Sequence, residues 1–365
     1  MRRRTNIINT ILTYIFTFGT LFAVVYTCND RYLDAELIDV ALWLALGAIL
    51  AGVLNTFVHE LGHLIIGKIN GFAFSSMQVL FFKWERVGKK ICFSFANMKY
   101  EAGYTEMIPT RTDNMALRYK RMSLGGPFAS LGFSFVGIAP FFISALSFEL
   151  FCLWSIFLPI GFYFHFSSIL PTSSYGVRND GGVAYGLKIL DDESKVTVAL
   201  LCMQAEAYNG KTPSEIDSKF YFNLPQLPED NPVFMMLLNA QFNYYLDMGD
   251  FENAKKTIFR LDSLEEYMPK HFIQIVKADL LYAYCTFAYD EEKADDVAYE
   301  IEKSLNNINT ATTVRIKLAY LLYVRREKDM ADRFYKKAVK EAEKAQIKGY
   351  GAFEKKLLEK MKADF

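Results

Sequence analysis

Four long stretches without a charged side chain constrain the fold more than any other feature of this sequence. A helix needs roughly 20 apolar residues to cross a hydrocarbon layer of ~30 Å. Each stretch meets this length and lacks Asp, Glu, Lys and Arg: Asn6 to Cys28, Val40 to Val58, Met122 to Phe148, and Leu150 to Val177. We therefore predict four membrane-spanning helices in the first half of the chain, the last two joined by a tight hairpin at Glu149.

The distribution of basic residues predicts how these helices are oriented. Lys and Arg near the ends of membrane helices mark the cytoplasmic side. Three Arg precede the first stretch, and nine basic residues lie between Gly71 and Arg121, whereas the segment from Asn29 to Asp39 holds one Arg and four acidic residues. We expect a multi-pass cell-membrane protein with both termini in the cytoplasm. The first stretch is too long for a usual secretory signal, so we interpret it as a retained anchor in a bacterial membrane.

The chain as a whole is predicted to be mainly α-helical and to have four parts. An N-terminal anchor helix with a short outer loop occupies residues 1–38, and a membrane-embedded core occupies 39–190. A helical connector and a proline-rich linker follow at 191–231, and a soluble helical domain at 232–365 completes the chain. The change from uncharged stretches to segments rich in Lys, Glu and Asp indicates that the two halves face different solvents.

The soluble part contains a weak internal sequence repeat. Short Asp- or Glu-containing segments end in Ala254, Ala294 and Ala331, at spacings of 40 and 37 residues, and each follows an aromatic-rich helix. Such periods are typical of tetratricopeptide-like helix pairs, whose concave surface suits a protein partner. A helical bundle that only caps the membrane core would show a similar pattern, so both interpretations stay open.

Charge and cysteine content exclude several classes of protein. The chain has 41 basic and 41 acidic residues, so nothing marks it as a nucleic-acid-binding protein. Its five cysteines have no CxxC spacing. We interpret them as buried or free thiols and not as a disulfide framework.

A metal-binding motif lies at the end of the second apolar stretch. The segment His59-Glu60-Leu61-Gly62-His63 contains two of only four histidines in the chain. On a helix, positions i and i+4 face the same way, so both imidazoles can reach one zinc ion, while Glu60 lies beside a metal-bound water. The alternative is a polar helix end at the membrane interface. Ionisable groups among apolar residues are usually functional in membranes, which favours the metal site.

A catalytic zinc usually has three protein ligands and an open position for water. The candidate third ligand is Asp180, which follows the fourth apolar stretch and precedes Gly181 and Gly182. Two glycines permit a tight turn and a close backbone approach. A surface Asp-Gly turn would have the same sequence, so the residues alone leave this assignment open.

Together these elements resemble the site-2 protease family of intramembrane zinc metalloproteases. The family pattern is an HExxH helix, a later Gly-Pro helix, and an Asn-x-x-Pro segment that leads to Asp-Gly. The matching residues are His59, Glu60 and His63, then Gly125-Gly126-Pro127, then Leu170-Pro171 followed by Asp180-Gly181-Gly182. Two positions depart from it: Ser168 replaces the usual Asn before the proline, and Ser130 stands where many relatives have Asn.

The resemblance implies one Zn²⁺ per chain, Asp180 as the third ligand and Glu60 as the catalytic base. It also implies peptide-bond hydrolysis in or near transmembrane segments of membrane-anchored regulators, signal-peptide remnants or peptide precursors. His165, Ser168 and Asn179 are candidate contacts to the substrate or the transition state, although a hydrogen-bonded helix-packing role is favoured for His165. Gly125, Gly126 and Gly132 are expected to let helices pack closely.

The loop after the motif has a β-like pattern. Phe72 to Phe82 and Ile91 to Tyr100 are rich in Phe, Val and Ile, and Val87 to Lys90 would form the turn between them. We predict a β-hairpin against the membrane. It would either hold an extended substrate segment or only attach the loop to the bilayer.

Two other functions are compatible with the sequence. A catalytically silent relative would anchor the helical-repeat domain as a binding or immunity protein, but the intact Glu60 argues against it. A different HExxH peptidase would use a downstream Glu, such as Glu101 or Glu106, as third ligand. Both glutamates lie in strand-like or loop-like sequence, so Asp180 remains the better candidate.

Overall fold

The computed structural model describes residues 2–88, 90–97, 102–174, 177–307 and 310–363. The chain forms two compact units. The first comprises Met1–Arg86, Ile91–Met107 and Ala116–Leu190, and the second comprises Val87–Lys90, Ile108–Met115 and Asp191–Phe365. The main division thus falls at Leu190, where the predicted membrane core ends, and the predicted connector 191–231 lies inside the second unit.

Long apolar helices dominate the first unit. They are α1 (Arg2–Arg31), α2 (Leu37–Ile69), α3 (Met115–Ser134, continued by a 3₁₀ helix at Phe135–Phe142), α4 (Phe148–Ser155) and α5 (Phe157–Ile169). In the described chain, four helical segments are long and apolar enough to cross a membrane: Ile7–Arg31, Leu37–Ile69, Met115–Phe142 and Phe148–Ile169. Large apolar side chains remain exposed along α1, including Ile15, Phe18 and Phe22. Such a surface suits a lipid environment.

Several boundaries differ from the predicted ones. The second helix continues to Ile69, beyond the predicted end at Val58, and the fourth segment ends at Ile169 and not at Val177. The third helical segment begins at Met115 and not at Met122, so it includes the basic residues near its start. The hairpin is present, but its turn precedes Glu149, which lies in the first turn of α4. Ser147 caps this helix by accepting a hydrogen bond from the Leu150 backbone N–H. A glutamate in a first helical turn is favoured by the helix dipole, which explains why it does not break the chain here.

The segment predicted to form a β-hairpin is part of a four-stranded sheet. Its strands are β1 (Phe72–Val79), β2 (Phe82–Val87), β3 (Lys90–Phe95) and β4 (Gly103–Pro109), in the order β3-β2-β1-β4. Leu80, with φ 52°, turns the chain between β1 and β2, which pair antiparallel with Val79 opposite Phe82. The sequence prediction missed this turn, β2 and β4. Because β2 lies between β1 and β3, the predicted pairing of Phe72 to Phe82 with Ile91 to Tyr100 is wrong. Lys89 of the predicted turn, and Lys99 and Glu101, lie outside the described residues.

The remaining elements are short strands followed by helices. Strands β5 (Ser173–Ser174) and β6 (Val177–Arg178) lead to α6 (Asp180–Ile189). The second unit contains α7 (Asp192–Tyr208), α8 (Lys219–Phe222), α9 (Pro232–Met248), α10 (Phe251–Asp262), α11 (Lys270–Cys285), α12 (Glu291–Glu300), α13 (Glu302–Asn307), α14 (Ala311–Ala319), α15 (Lys328–Glu343) and α16 (Lys348–Lys362). Helix α9 starts at Pro232 behind the Asn231 cap. The proline-rich segment before it lies inside the second unit, where Leu227 is buried in a hydrophobic cluster.

A charged cluster is buried in the core of the second unit. Arg315 donates from Nε to Glu354 at 2.6 Å, and its guanidinium lies 4.1 Å from the centre of the Tyr282 ring. Asp279 is buried beside them, and its carboxylate accepts a 3.4 Å hydrogen bond from Asn239. Burial raises the pKa of Asp279 to about 6, although the charge of Arg315 opposes the rise. The carboxylates of Asp279 and Glu354 thus both interact with the single guanidinium of Arg315.

We predict that Asp279→Asn stabilises the second unit at pH 7.5 by roughly 2 kcal/mol. An ionised buried carboxylate with a raised folded-state pKa destabilises the fold above that pKa, and the penalty is relieved as the pH falls from about 6 towards about 4. The difference in unfolding free energy between the variant and the wild type should therefore decrease as the pH falls from about 6 towards about 4. Urea-dependent amide exchange of α11 in the full-length protein in detergent measures this difference.

Asp247 provides a control of opposite sign. Its carboxylate accepts hydrogen bonds from Lys356 Nζ at 2.6 Å and from the Ser214 backbone N–H at 2.8 Å. Burial alone would raise the pKa of Asp247, but these donors hold it below its ordinary value. Asp247→Asn should therefore destabilise the unit at pH 7.5. If Asp279→Asn destabilised the unit as Asp247→Asn does, the destabilising effect proposed for the ionised Asp279 carboxylate would be contradicted.

Candidate metal centre

Helix α2 places the three motif side chains in the protein interior. His59, Glu60 and His63 are 8%, 6% and 8% exposed, on the helix face that packs against α3 and the sheet. The rings of the two histidines meet edge to face, with centroids 4.9 Å apart. The predicted i, i+4 arrangement is therefore present, and the motif is not a solvated helix end.

Asp180, at the first position of α6, completes a triangle of donor atoms. Its Oδ2 lies 3.2 Å from His59 Nε2 and 3.4 Å from His63 Nε2, and the two Nε2 atoms are 3.2 Å apart. Among the described residues, this is the one group of three or more His, Cys, Asp or Glu side chains close enough to hold a metal ion. The geometry thus brings the residue suggested by the family resemblance to the two histidines.

The spacing of these donors fits a tetrahedral metal ion. Zinc bonds of about 2.0–2.1 Å to nitrogen and oxygen place tetrahedral ligands roughly 3.3 Å from one another. The three separations of 3.2, 3.2 and 3.4 Å agree with this value. Three donors occupy three corners, and the fourth is left for water or substrate. The donor set of two imidazoles and one carboxylate is also typical of catalytic zinc.

The outer nitrogens of both imidazoles are fixed by hydrogen bonds. His63 Nδ1 lies 2.9 Å from the backbone oxygen of Met122, which only accepts, so this nitrogen carries the proton. His59 Nδ1 lies 3.0 Å from the Ser130 hydroxyl. Partners at Nδ1 direct the Nε2 lone pairs towards the centre of the triangle, as metal-binding histidines require.

Glycines bring α2 and α3 close enough for these contacts. A Cβ atom on Gly62 would lie 2.4 Å from the Gly125 oxygen, and one on Gly125 would lie 2.6 Å from the Gly62 oxygen. A Cβ on Gly126 would lie 2.3 Å from His63 Nε2 and 2.6 Å from His59 Nε2. Gly126 thus keeps the donor atoms accessible. Gly132 has no atom within 4 Å of its Cβ position, so its predicted packing role is wrong.

Asp180 is positioned mainly through the backbone around it. Its carbonyl oxygen accepts a 2.9 Å hydrogen bond from Ser123 Oγ of α3. A Cβ on Gly181 would lie 2.0 Å from the Ile169 oxygen, so only glycine allows α6 to start this close to the end of α5. The Asp180 side chain is 27% exposed, more than either histidine. The triangle is therefore most open on its carboxylate side.

Asn179 has a structural role, contrary to its predicted contact with substrate. Its Oδ1 accepts from the backbone N–H groups of Thr172 and Gly182, and its Nδ2 donates to the oxygens of Ser167 and Leu170. These bonds use the hydrogen-bonding capacity of the amide. Asn179 is the N-cap of α6 and thereby fixes where Asp180 starts the helix.

His165 and Ser168 are not brought into the triangle. His165 Nδ1 lies 2.9 Å from the Pro127 oxygen, and its ring packs against Phe128 and Phe166. This is the helix-packing role that the sequence left open. The Ser168 backbone oxygen lies at the Gly181 approach, so this residue contributes to the junction between α5 and α6.

Glu60 is held by the sheet. Thr105 of β4 donates from Oγ1 to Glu60 Oε2 at 2.7 Å and contacts the Glu60 backbone oxygen at 3.1 Å. A Cβ on Gly103 would lie 2.9 Å from Glu60 Oε1, so glycine leaves space at this oxygen. Oε2 is thus anchored, whereas no hydrogen bond to Oε1 is formed by the described residues. The sequence missed Thr105 and Gly103 because β4 itself was not predicted.

Of the two alternative third ligands, Glu106 is not in the cluster. Glu106 accepts a 2.9 Å hydrogen bond from Ser76 Oγ within the sheet. Glu101 lies outside the described residues. The donor geometry therefore favours Asp180 over Glu106.

In comparisons with known proteins, no family model, curated sequence or solved structure matches this chain.

We predict that Gly126→Ala lowers the metal content of the purified protein at least ten-fold, because the added methyl group would lie against both Nε2 atoms. Gly132→Ala adds the same methyl group to the same helix in open space and should retain the metal. Mass spectrometric metal analysis after dialysis against micromolar Zn²⁺ measures both. Equal metal contents in the two variants would contradict the proposed position of the ion.

Proposed function

We propose that this chain is an intramembrane zinc metalloprotease of the site-2 protease type. The observation that carries the proposal is the donor triangle of His59, His63 and Asp180, with Glu60 on the next position of the same helix. His59 and His63 lie in the second of four apolar helical segments, and Asp180 follows the fourth. A hydrolytic metal site within such helices has membrane-embedded peptide segments as its natural substrates.

The site residues divide the chemistry between them. His59, His63 and Asp180 would hold the ion, which when bound lowers the pKa of a coordinated water and polarises the scissile carbonyl group. Glu60 accepts the proton of the attacking water at Oε1 and then donates it to the leaving amine nitrogen. The hydrogen bond from Thr105 to Oε2 keeps the carboxylate in the orientation required for both steps.

Hydrogen bonds with neighbouring groups give the polar atoms of the site partners within the protein. Ser130 and the Met122 carbonyl bind the outer imidazole nitrogens, and Thr105 binds Glu60. Water must still reach the metal, and the more exposed Asp180 side offers the route. In the proposed topology both termini and the second unit are cytoplasmic, as the basic residues between α2 and α3 indicate.

We further propose that the second unit is a tetratricopeptide-like domain that binds a protein partner or substrate. Helices α9 and α10, and α11 and α12, are consecutive packed pairs. Asp250 and Asp290 cap the second helix of these two pairs. Ala254, Ala294 and Ala331 are all fully buried. The repeated cap and the repeated small residue support a common helix-pair unit.

The decisive variant is Glu60→Gln, which preserves the shape of the side chain but cannot accept a proton. We expect it to retain zinc and to lower hydrolysis at least 100-fold, the range for loss of a general base. The assay labels new peptide N-termini in membranes of cells that express either protein. The readout is cleavage in or near transmembrane segments that only the wild type produces.

Glu106→Gln is the matched control, because Glu106 is a β4 carboxylate bonded to Ser76 and not to the site. It should cleave like the wild type. Cleavage by Glu60→Gln at the wild-type level would refute the mechanism. A wild type that binds zinc but yields no new N-termini would favour the alternative of a catalytically silent binding or immunity protein.

Asp180→Ala tests the third ligand separately. Removal of one of three ligands should lower zinc affinity at least 100-fold, and the metal content after dialysis against buffered Zn²⁺ measures this. Asp192→Ala, which removes an exposed carboxylate from the start of α7, should have no effect. Unchanged zinc in a folded Asp180→Ala variant would show that another group completes the site.

A further inference from the structure

A groove of about 680 Å³ runs between α2 and α3. One side is lined by Ile65, Ile66 and Ile69 of α2. The other is lined by Arg121, Leu124 and Phe128 of α3, which are three and four positions apart. The exposed fractions of Ile65, Ile69 and Phe128 are 48%, 73% and 57%. The walls are therefore apolar and open to the surroundings.

The groove follows from the glycine contact of the two helices. At Gly62 and Gly125 the backbones touch, and both residues also form the floor of the groove. Side chains on either side of this contact stand above the glycines as walls. From Gly62 to Asn70 the groove extends about 12 Å along α2, at 1.5 Å per residue. Its volume lies in the range of sites that hold one small ligand.

One end of the groove is positively charged. Arg121 lines that end and is exposed, and in the described part of the chain it has no ion-pair or hydrogen-bond partner. The neighbouring Arg118 is different: it is buried and donates to the backbone oxygens of Asn70 and Gly71 at the end of α2. Arg118 therefore joins the two helices, while the guanidinium of Arg121 is available to an anion.

The length of α3 places Arg121 near the membrane surface. The segment Met115–Phe142 has 28 residues. At 1.5 Å per residue for the 20 α-helical residues and 2.0 Å for the eight 3₁₀ residues, it is about 46 Å long, whereas the hydrocarbon layer is ~30 Å thick. The first turns of α3, which carry the basic residues, thus reach the headgroup layer. The apolar part of the groove then lies at the depth of the acyl chains.

We propose that this groove binds an anionic phospholipid, with its phosphate at Arg121 and one acyl chain along the isoleucine and leucine walls. Arg forms charge-assisted hydrogen bonds to phosphate oxygens, and branched apolar walls match a hydrocarbon chain. This inference rests on membrane insertion of α2 and α3 and is independent of catalysis.

The test is native mass spectrometry of the full-length protein in a neutral detergent, titrated with phosphatidylglycerol or phosphatidylcholine of identical acyl chains. The wild type should bind phosphatidylglycerol about five-fold more tightly, the effect of one basic side chain near an anionic headgroup. Arg121→Gln should abolish this preference, and Arg121→Lys should largely keep it. Lys68→Gln removes a charge from the same end of α2 outside the groove and should keep it fully.

Each outcome of the titration decides the proposal. An unchanged preference in Arg121→Gln, or an equal loss in Lys68→Gln, would show general surface electrostatics and refute the site. Displacement of the lipid by millimolar inorganic phosphate would reduce it to a simple anion site. Zinc content and peptide cleavage are not read in this experiment, so its failure would leave the proposed protease function untouched.

A photo-crosslinking residue identifies the occupant directly. Benzoylphenylalanine in place of Phe128, in vesicles of phosphatidylglycerol and phosphatidylcholine, should give adducts with the mass of a phospholipid, enriched in phosphatidylglycerol. The same residue in place of Phe22, an exposed position on α1, should give adducts without headgroup preference. Adducts to a protein at position 128 would mean that another helix occupies the groove and would overturn the proposal.

Discussion

The contact between the backbones of α2 and α3 at Gly62 and Gly125 controls most of the candidate site. Each glycine is within van der Waals distance of the other residue's carbonyl oxygen, so any side chain here would push the helices apart. That separation would remove two hydrogen bonds together, those from the imidazoles to Ser130 and to the Met122 oxygen. The two candidate histidine ligands are therefore oriented by a helix crossing that only glycine permits.

The Asp180 carboxylate is positioned beside the two imidazoles by a different set of contacts. Asp180 stands at the start of α6, where the helix dipole favours a negative charge. Its position depends on the Asn179 cap and on the close approach of Gly181 to the end of α5. These interactions involve the backbone, so the carboxylate itself remains free for a ligand. One helix, α2, and the capped start of α6 thus hold three donor atoms within 3.4 Å of one another.

Local patterns were sufficient to predict part of this arrangement. The spacing of His59 and His63 is a property of any α-helix, and the uncharged stretches located the four apolar helical segments, although some of their ends differ by 6 to 11 residues. Asp180 could be selected only through family resemblance, since an Asp-Gly turn has no distinct sequence. The contacts of Ser130 with His59 and of Thr105 with Glu60 join residues 71 and 45 positions apart. Such pairs depend on tertiary packing, which no local period encodes, and Asn179 was misassigned for the same reason.

The energetics of the cluster give an independent reason to expect a cation. Buried polar groups are stable only when each has a partner, and the outer atoms of the site meet this condition through Ser130, Met122 and Thr105. The inner atoms meet only one another, as two imidazole nitrogens and a carboxylate oxygen that all present electron pairs to one point. Either a proton or a metal ion must lie among them to offset the repulsion. A divalent ion satisfies all three donors at once, so that its binding energy would also stabilise the packing of α2, α3 and α6.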